Sequence, residues 1–309
     1  MRVAIIDIGT NTINLLVADT LDGGGYAITH SSKVTARLGR GGINDGVLTP
    51  EAIQRGIDAI QSHVDTLNAL GHVDRVVAIG TSALRNAKNS NVFVDALKNS
   101  FNIDVRIISG DEEAAMIFDG VKQVLPIGRE RVLILDIGGG SCEFIIANKD
   151  GILWKHSYEL GMSRIVDRFP ISDPITPQQI KDIENFFRPD LMSLYEALHN
   201  YPTSTLVGTS GSFDTMAAIV AARNHPFLNV RLSTSYEIPI ANFDEVYHKL
   251  ISSTVKQRME MKHLDPARVE LIIPGVIFIN FILREMRMQS MYQCAFSLKQ
   301  GAIFQLLNS

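Results

Sequence analysis

Two short stretches carry residue types suited to phosphate chemistry. Asp7-Ile8-Gly9-Thr10-Asn11-Thr12 and Asp136-Ile137-Gly138-Gly139-Gly140-Ser141 each begin with a carboxylate and run into small or hydroxyl-bearing residues. A carboxylate at a strand end can hold a cation. Gly9 and Asn11 tolerate positive φ, so the first turn can present backbone N–H groups. Thr10 and Thr12 add hydroxyl donors. In the second stretch three glycines allow the backbone to approach an oxyanion closely. Glu143 follows, so Asp136 and Glu143, with Asp7 across from them, are the candidate holders of Mg²⁺ or another divalent cation, which prefers a few carboxylates plus phosphate oxygens. The plainer reading of such turns is that they only close hairpins. Arg85, in Gly80-Thr81-Ser82-Ala83-Leu84-Arg85, can fork onto phosphate oxygens or form a surface salt bridge. In Ser109-Gly110-Asp111-Glu112-Glu113-Ala114, Ser109 and Glu112 have capping-box spacing. Glu113 is then turned about 100° around the helix. It either faces a cleft or merely complements the helix dipole.

These residues sit at corresponding places in two halves. VAIIDIGTNTINLLVAD at 3–19 is matched by VLILDIGGGSCEFIIAN at 132–148, so Val132 stands in its half where Val3 stands in the first. Thr49-Pro50 recurs as Thr176-Pro177, and Gly80-Thr81-Ser82 as Gly208-Thr209-Ser210, at nearly the same spacing. Three landmarks in one order at nearly one offset indicate duplication.

The elements that must position them follow from periodicity. Val3–Ile6 and Ile13–Ala18 read as a hairpin. Thr49 caps a helix whose Ile53, Ile57, Ile60, Val64 and Leu67 form one apolar face, with Gly71 past its end. Strands are predicted at Asp74–Ile79 and over 101–108, and a helix over 112–124. The second half repeats the scheme with strands at Val132–Leu135, Glu143–Ala147 and Thr205–Val207 and a helix after Thr176. Pro189 predicts a kink or break within 181–198. Leu271 to Leu283 is apolar but contains Pro274 and Gly275, and is too short to span a bilayer; it reads as core. Strands alternating with helices predict an α/β fold of two similar domains with a cleft beyond the strand ends.

Composition narrows the function. The chain has 309 residues, enough for two domains. With 29 Lys plus Arg against 33 Asp plus Glu, the net charge of −4 argues against a nucleic-acid coat or a polybasic membrane binder. Two cysteines, Cys142 and Cys294, make no disulfide framework. The acidic residue at position 7 leaves no room for a signal-peptide core, so a cytoplasmic protein is expected. There is no zinc spacing, no Gly-x-Ser-x-Gly elbow and no P-loop. Cys142 reads as a small filler.

The sequence resembles the exopolyphosphatase/guanosine-pentaphosphate phosphohydrolase family of the actin-like ATPase superfamily. The resemblance rests on DIGTNT at 7–12, RLGRGG at 37–42, GTSALR at 80–85, ISGDEEA at 108–114, DIGGGSCE at 136–143, LGMSR at 160–164, GTSGS at 208–212 and Pro274-Gly275. It implies two ribonuclease-H-like domains, 1–126 and 127–297, with a C-terminal segment from about 298 packing back on the first. It implies Glu113 as catalytic glutamate, Arg85 as substrate-contacting arginine, Asp136 and Glu143 as metal-associated carboxylates, and Gly138, Gly139, Gly140 and Ser141 as phosphate loop. Gly9, Thr10, Asn11 and Thr12, with Gly208, Ser210 and Gly211, complete the expected phosphate-binding set. The expected reaction removes the terminal phosphate of inorganic polyphosphate. Alternatives are a guanosine pentaphosphate phosphohydrolase, a sugar or acid kinase, and a non-catalytic regulator binding polyphosphate or guanosine penta- or tetraphosphate. A homodimer is expected. Lys33, Arg37, Arg40, Lys88 and Arg164 are further candidates for a basic lining. Ala295 and Lys299 depart from the family's usual Asp and Arg, which puts C-terminal contacts in doubt.

Overall fold

The computed structural model describes residues 1–225 and 227–308. The first half contains β1 (Arg2–Ile8), β2 (Thr12–Thr20), β3 (Tyr26–Thr35), α1 (Pro50–Leu70), β4 (Arg75–Gly80), α2 (Ser82–Asn86), α3 (Ser90–Phe101), β5 (Val105–Ile107) and α4 (Gly110–Val121). The second contains β6 (Val132–Ile137), β7 (Cys142–Asn148), β8 (Gly151–Tyr158), α5 (Met162–Arg168), α6 (Pro177–Asp190), α7 (Met192–Asn200), β9 (Thr205–Thr209) and α8 (Ser210–Asn224). It continues with β10 (Ser235–Glu237), α9 (Ile240–Ile251), α10 (Val255–Met259), α11 (Ile272–Glu285), β11 (Ser290–Cys294) and α12 (Leu298–Leu307).

The two sheets have matching order, β3-β2-β1-β4-β5 and β8-β7-β6-β9-β11, the second extended by β10. In each, an antiparallel meander is joined by parallel strands through helical crossovers. The duplication reaches single residues. Asp7 pairs with Asn14, and Asp136 with Glu143 at the equivalent place in the second half. Even the β-bulge recurs, between Val17 and Ala18 and between Ile146 and Ala147.

Local signals explain the helices nearest the site. Thr49 Oγ1 accepts from Ala52 N at 3.2 Å, which caps the helix start. Pro50 opens α1, where its missing amide costs nothing. Ile60 and Leu67 of that helix are buried against the first sheet. Gly71 ends it at φ 86°, a conformation glycine adopts freely. Pro189 breaks the predicted long helix into α6 and α7 at Leu191, because the ring removes an amide and crowds the preceding turn. The predicted strand over 101–108 is shorter than expected. Helix α3 runs through Phe101, Asn102 caps it in the left-handed region at φ 54°, and only Val105–Ile107 pairs with β4. Leu271 to Leu283 becomes α11, buried along nearly its whole length against α6, α8 and α9.

Three cores hold the molecule. One lies between the first sheet and α1 and α3; another joins the second sheet to α5–α9 and α11. The third fills the space between the two sheets, where α4 and α12 cross. A Cβ on Gly301 would lie 1.7 Å from the Met116 carbonyl oxygen, and one on Gly120 2.2 Å from that of Ser297. This crossing therefore requires residues without a side chain. Helix α12 thereby packs on α4 and β1. Among the described residues no helix is long and apolar enough to cross a membrane.

Candidate active site

The strand-end turns of the two sheets meet. A Cβ on Gly140 would lie 2.4 Å from Thr10 Oγ1 and 2.5 Å from Ser82 Oγ; on Gly139, 3.1 Å from Thr10 Cβ. Between and beside them is a cavity of about 240 Å³, lined by Asp7, the two turns, Glu113, Asp136, Ser210, Gly211, Asp214, Arg268 and Lys299 among others.

The glycines act by absence of a side chain rather than by unusual backbone angles. Contrary to the expectation for Gly9 and Asn11, none of Gly9, Asn11, Gly138, Gly139 and Gly140 has positive φ. Gly9 N donates to Thr12 O and Gly138 N to Ser141 O, each at 3.0 Å, which closes both turns alike. The carbonyls of Gly138, Gly139 and Gly140 accept from the amides of Met162, Ser163 and Gly161 at the start of α5. Because the peptides are trans, the N–H groups of Gly139, Gly140 and Ser141 point to the side opposite α5. Successive amides of a tight turn can form an anion nest.

The third loop differs. Ser210 adopts φ 67°. For a residue with a Cβ that region costs about 1–2 kcal/mol. Its Oγ donates to Asp136 Oδ2 at 2.8 Å, which holds the turn. The next residue, Gly211, lies directly under the Arg268 guanidinium, where a Cβ would fall 1.5 Å from Cζ. Gly208 does not line the cavity. It sits inside β9 against the Phe213 ring, so its lack of a side chain serves packing.

The carboxylates converge from both halves. Asp136 Oδ2 accepts from Thr209 Oγ1 at 2.6 Å, from Ser210 Oγ and from Ser297 Oγ. Asp7 accepts from Asn14 Nδ2 at 2.9 Å. Burial raises its pKa to about 6, against the opposing field of Lys299. Glu143 is set behind the loop, fully buried, and accepts from Ser157 Oγ at 2.7 Å. Burial, then the neighbouring Glu113 and Asp136, push its pKa well above the carboxylate range. Glu112 does form the capping box: its Oε2 accepts from Ser109 N at 2.9 Å, and its own amide donates to Ser109 Oγ. Glu113, one residue on, is buried and bonded by Arg85 Nη1 at 2.9 Å. Burial raises its pKa to about 7 even with that arginine beside it.

Arg85 lies behind the cavity wall. Nη1 also donates to Ile108 O at 3.1 Å, leaving Nη2 for Ser141 Oγ at 3.4 Å. Arg164 bridges the halves, donating to Gly140 O at 2.7 Å and Ile43 O at 3.0 Å. Lys33 lines the cavity and bonds Asp265, a wall residue of the adjoining cavity, at 2.6 Å. Arg37, Arg40 and Lys88 do not line it. Cys142 is buried with its thiol pKa pushed up by burial, and Sγ contacts Leu160 O; both cysteines are free. Sequence reasoning missed Asp214, Arg268, Ser297 and Glu159. Only the GTSGS stretch pointed near Asp214; the others come from distant loops. Ala295, at the departure from the family pattern, lines a second cavity beyond Arg268, and Lys299 lines the first.

Is this a metal site? Among the described residues no three acidic, histidine or cysteine side chains form a ready chelate. Yet several buried carboxylates with too few cations around them suit an ion that takes the rest of its ligands from phosphate and water. All three hydroxyls on Asp136 bond one oxygen, Oδ2, and leave Oδ1 for a ligand.

Twin α/β sheets, with paired strand-end carboxylates and oxyanion turns that meet between them, define a phosphate-handling protein. The chain belongs to the Ppx/GppA phosphatase family, whose profile matches residues 16–309. It is 31% identical over 295 residues to Exopolyphosphatase 2 of Mycobacterium tuberculosis, covering 93% of this chain and 91% of that protein. An exopolyphosphatase structure from Cytophaga hutchinsonii superposes with a TM-score of 0.96 at 34% identity, covering 100% of this chain and 98% of that one. A Ppx/GppA family member from Aquifex aeolicus shares the fold, with a TM-score of 0.80 at 22% identity over 100% and 98% of the two chains.

Proposed function

We propose that the protein is an exopolyphosphatase, hydrolysing the terminal phosphoanhydride of inorganic polyphosphate. The observation that carries this is the buried Glu113–Arg85 pair at 2.9 Å, set beside two oxyanion turns that touch. The amides of Gly139, Gly140 and Ser141, with Thr10, Asn11 and Thr12 opposite, hold the terminal phosphoryl group. Arg85, behind the loop and bonded to Ser141 Oγ, adds positive potential that stabilises charge on its oxygens. Glu113 orients water and takes its proton as the oxygen–phosphorus bond forms; the anhydride P–O bond breaks and the shortened chain departs as an anion. A divalent cation, Mg²⁺ or another, would be held by Asp136 and Asp7 with Glu143 behind them, and when bound supplies charge neutralisation for the phosphates. Lys33, Lys299 and Arg268 at the cavity wall suit a chain of negative charge. The division into residues 1–126 and 127–297, a homodimer and a cytoplasmic location belong to the same reading.

One observation favours a guanosine pentaphosphate substrate as second reading. A cavity of about 580 Å³ adjoins the first across Arg268 and Asp214, with small and apolar walls at Ala217, Ala218 and Val230. At its edge the buried Gln293 Oε1 has no hydrogen-bond partner among the described residues. A base with N–H donors would satisfy it.

The test is timed phosphate release from short and long polyphosphate, guanosine pentaphosphate and ATP, with and without Mg²⁺. Release from polyphosphate faster than from the nucleotides is expected. Binding without release from any of them would reduce the protein to a regulator.

A further inference from the structure

Beside the phosphate loop, bonded to Ser82 of the main cavity's lining, Glu159 follows β8. Its carboxylate accepts from Arg164 Nη2 at 2.6 Å and Ser82 Oγ at 3.0 Å, and lies 3.7 Å from Arg85 Nη2. Ser141 Oγ lies 3.4 Å from that same Arg85 nitrogen. Two guanidinium groups and the Ser82 hydroxyl gathered around one carboxylate are a donor set that binds a tetrahedral oxyanion.

The donors do not depend on Glu159 for their positions. Arg85 is anchored on Ile108 O and Glu113, Arg164 on Gly140 O and Ile43 O, and Ser82 Oγ accepts from Asn86 Nδ2 at 3.2 Å. The arginine side chains are only 16% and 12% exposed, whereas that of Glu159 is 45% exposed. The cationic cradle is therefore fixed, and the carboxylate within it is the loose member. It can turn into water and leave the donors in place.

We propose that this cradle is a second phosphate site, for orthophosphate leaving the reaction centre, and that Glu159 occupies it when phosphate is absent. Where the phosphate comes from rests on the hydrolytic reading above. Arg85 touches both places: Nη1 holds Glu113, and Nη2 faces the cradle. A phosphate released beside Glu113 can pass to Nη2 without losing contact with a cation. Return of the Glu159 carboxylate then expels it by like-charge competition for the same donors.

The test is calorimetric titration of inorganic phosphate into the full chain without divalent cation. Glu159→Gln keeps shape and hydrogen-bonding capacity but removes the competing charge. Phosphate should bind roughly five- to tenfold more tightly, the scale of one half-exposed ion pair. Glu159→Ala should shift affinity in the same direction, and serves if the glutamine variant does not fold. The gain should vanish in Glu159→Gln combined with Arg164→Leu. Unchanged or weaker binding in both single variants overturns the proposal and makes Glu159 a brace between the halves. A gain that survives loss of Arg164 also overturns it, because it would then be a general field effect. Polyphosphate hydrolysis by the unmodified chain is measured in parallel. Its failure would sink the hydrolytic reading and leave the phosphate titration standing.

Discussion

In the proposed mechanism Glu113 is the residue on which the chemistry turns, and its surroundings determine how it should behave. Burial raises its pKa to about 7 while Arg85 keeps the charged form within reach. A base poised there loses activity as pH falls through its pKa. The kcat/KM profile should therefore show an acidic limb near pH 7 in the free enzyme. Glu113→Gln should lower turnover roughly 10²–10⁴-fold and remove that limb from the residual activity, with the fold intact by circular dichroism. A near-normal rate from pure variant refutes the assignment. Arg85 bridges Ile108, Glu113 and Ser141 with two nitrogens, a geometry no lysine reproduces. Arg85→Lys should lower kcat/KM about 10–100-fold; unchanged kinetics at low substrate would take Arg85 out of the site. At this scale the sequence was informative about residue type and capping. Ser109 and Glu112 predicted that Glu112 would be occupied and Glu113 left free to turn, and that is how they lie. It could not choose between a dipole complement and a cleft-facing carboxylate, since that depends on Arg85, which reaches it from another helix.

At the scale of elements, two close approaches decide where these side chains sit. Helix α4 carries Glu113 and α12 carries Lys299, and they cross where Gly120 and Gly301 leave no room for a Cβ. Gly301→Ala should destabilise the protein by about 1–3 kcal/mol, as overpacking does, and should reduce kcat because α4 shifts. Thermal unfolding and turnover measured together check this; an unchanged Tm would show that the crossing yields freely. Gly161 packs on the phosphate loop, where its Cβ would lie 2.3 Å from the Gly140 backbone. Here the sequence signalled helix starts and stops well, through Thr49-Pro50, Thr176-Pro177, Gly71 and Pro189. It overestimated the strand over 101–108, because apolar residues ending α3 look locally like strand residues. It also placed Gly208 with phosphate when that glycine makes room for Phe213.

The whole molecule gathers Asp7, Glu113 and Glu143 around one crevice, and loss of solvent there raises the proton affinity of each. Because these folded-state pKa values lie above the unfolded ones, the folded protein holds more protons than the unfolded chain at mildly acidic pH. Their contribution to stability is full below the ordinary carboxylate range and is lost as pH rises through about 6 for Asp7 and 7 for Glu113. The metal-free protein should therefore show a Tm that falls between pH 5 and 7.5, less steeply in Glu113→Gln. Cation binding at pH 6 should release protons. Calorimetry in two buffers of different ionisation enthalpy measures this; identical apparent enthalpies would argue that no buried carboxylate receives the ion.

Local pattern alone determined the duplication, the two sheets, the paired strand-end carboxylates and the class of ligand they suit. Those features are written within short windows or repeated at one offset, and periodicity and turn chemistry act over such windows. Tertiary structure decided what reaches the crevice from elsewhere: Ser297 and Thr209 on Asp136, Arg268 on Gly211, Glu159 between two arginines, and the packing of α12 on α4. Most of these join segments far apart along the chain. Such contacts arise only when burial of three cores brings the halves together, and no local propensity encodes which surface loop arrives beside which carboxylate.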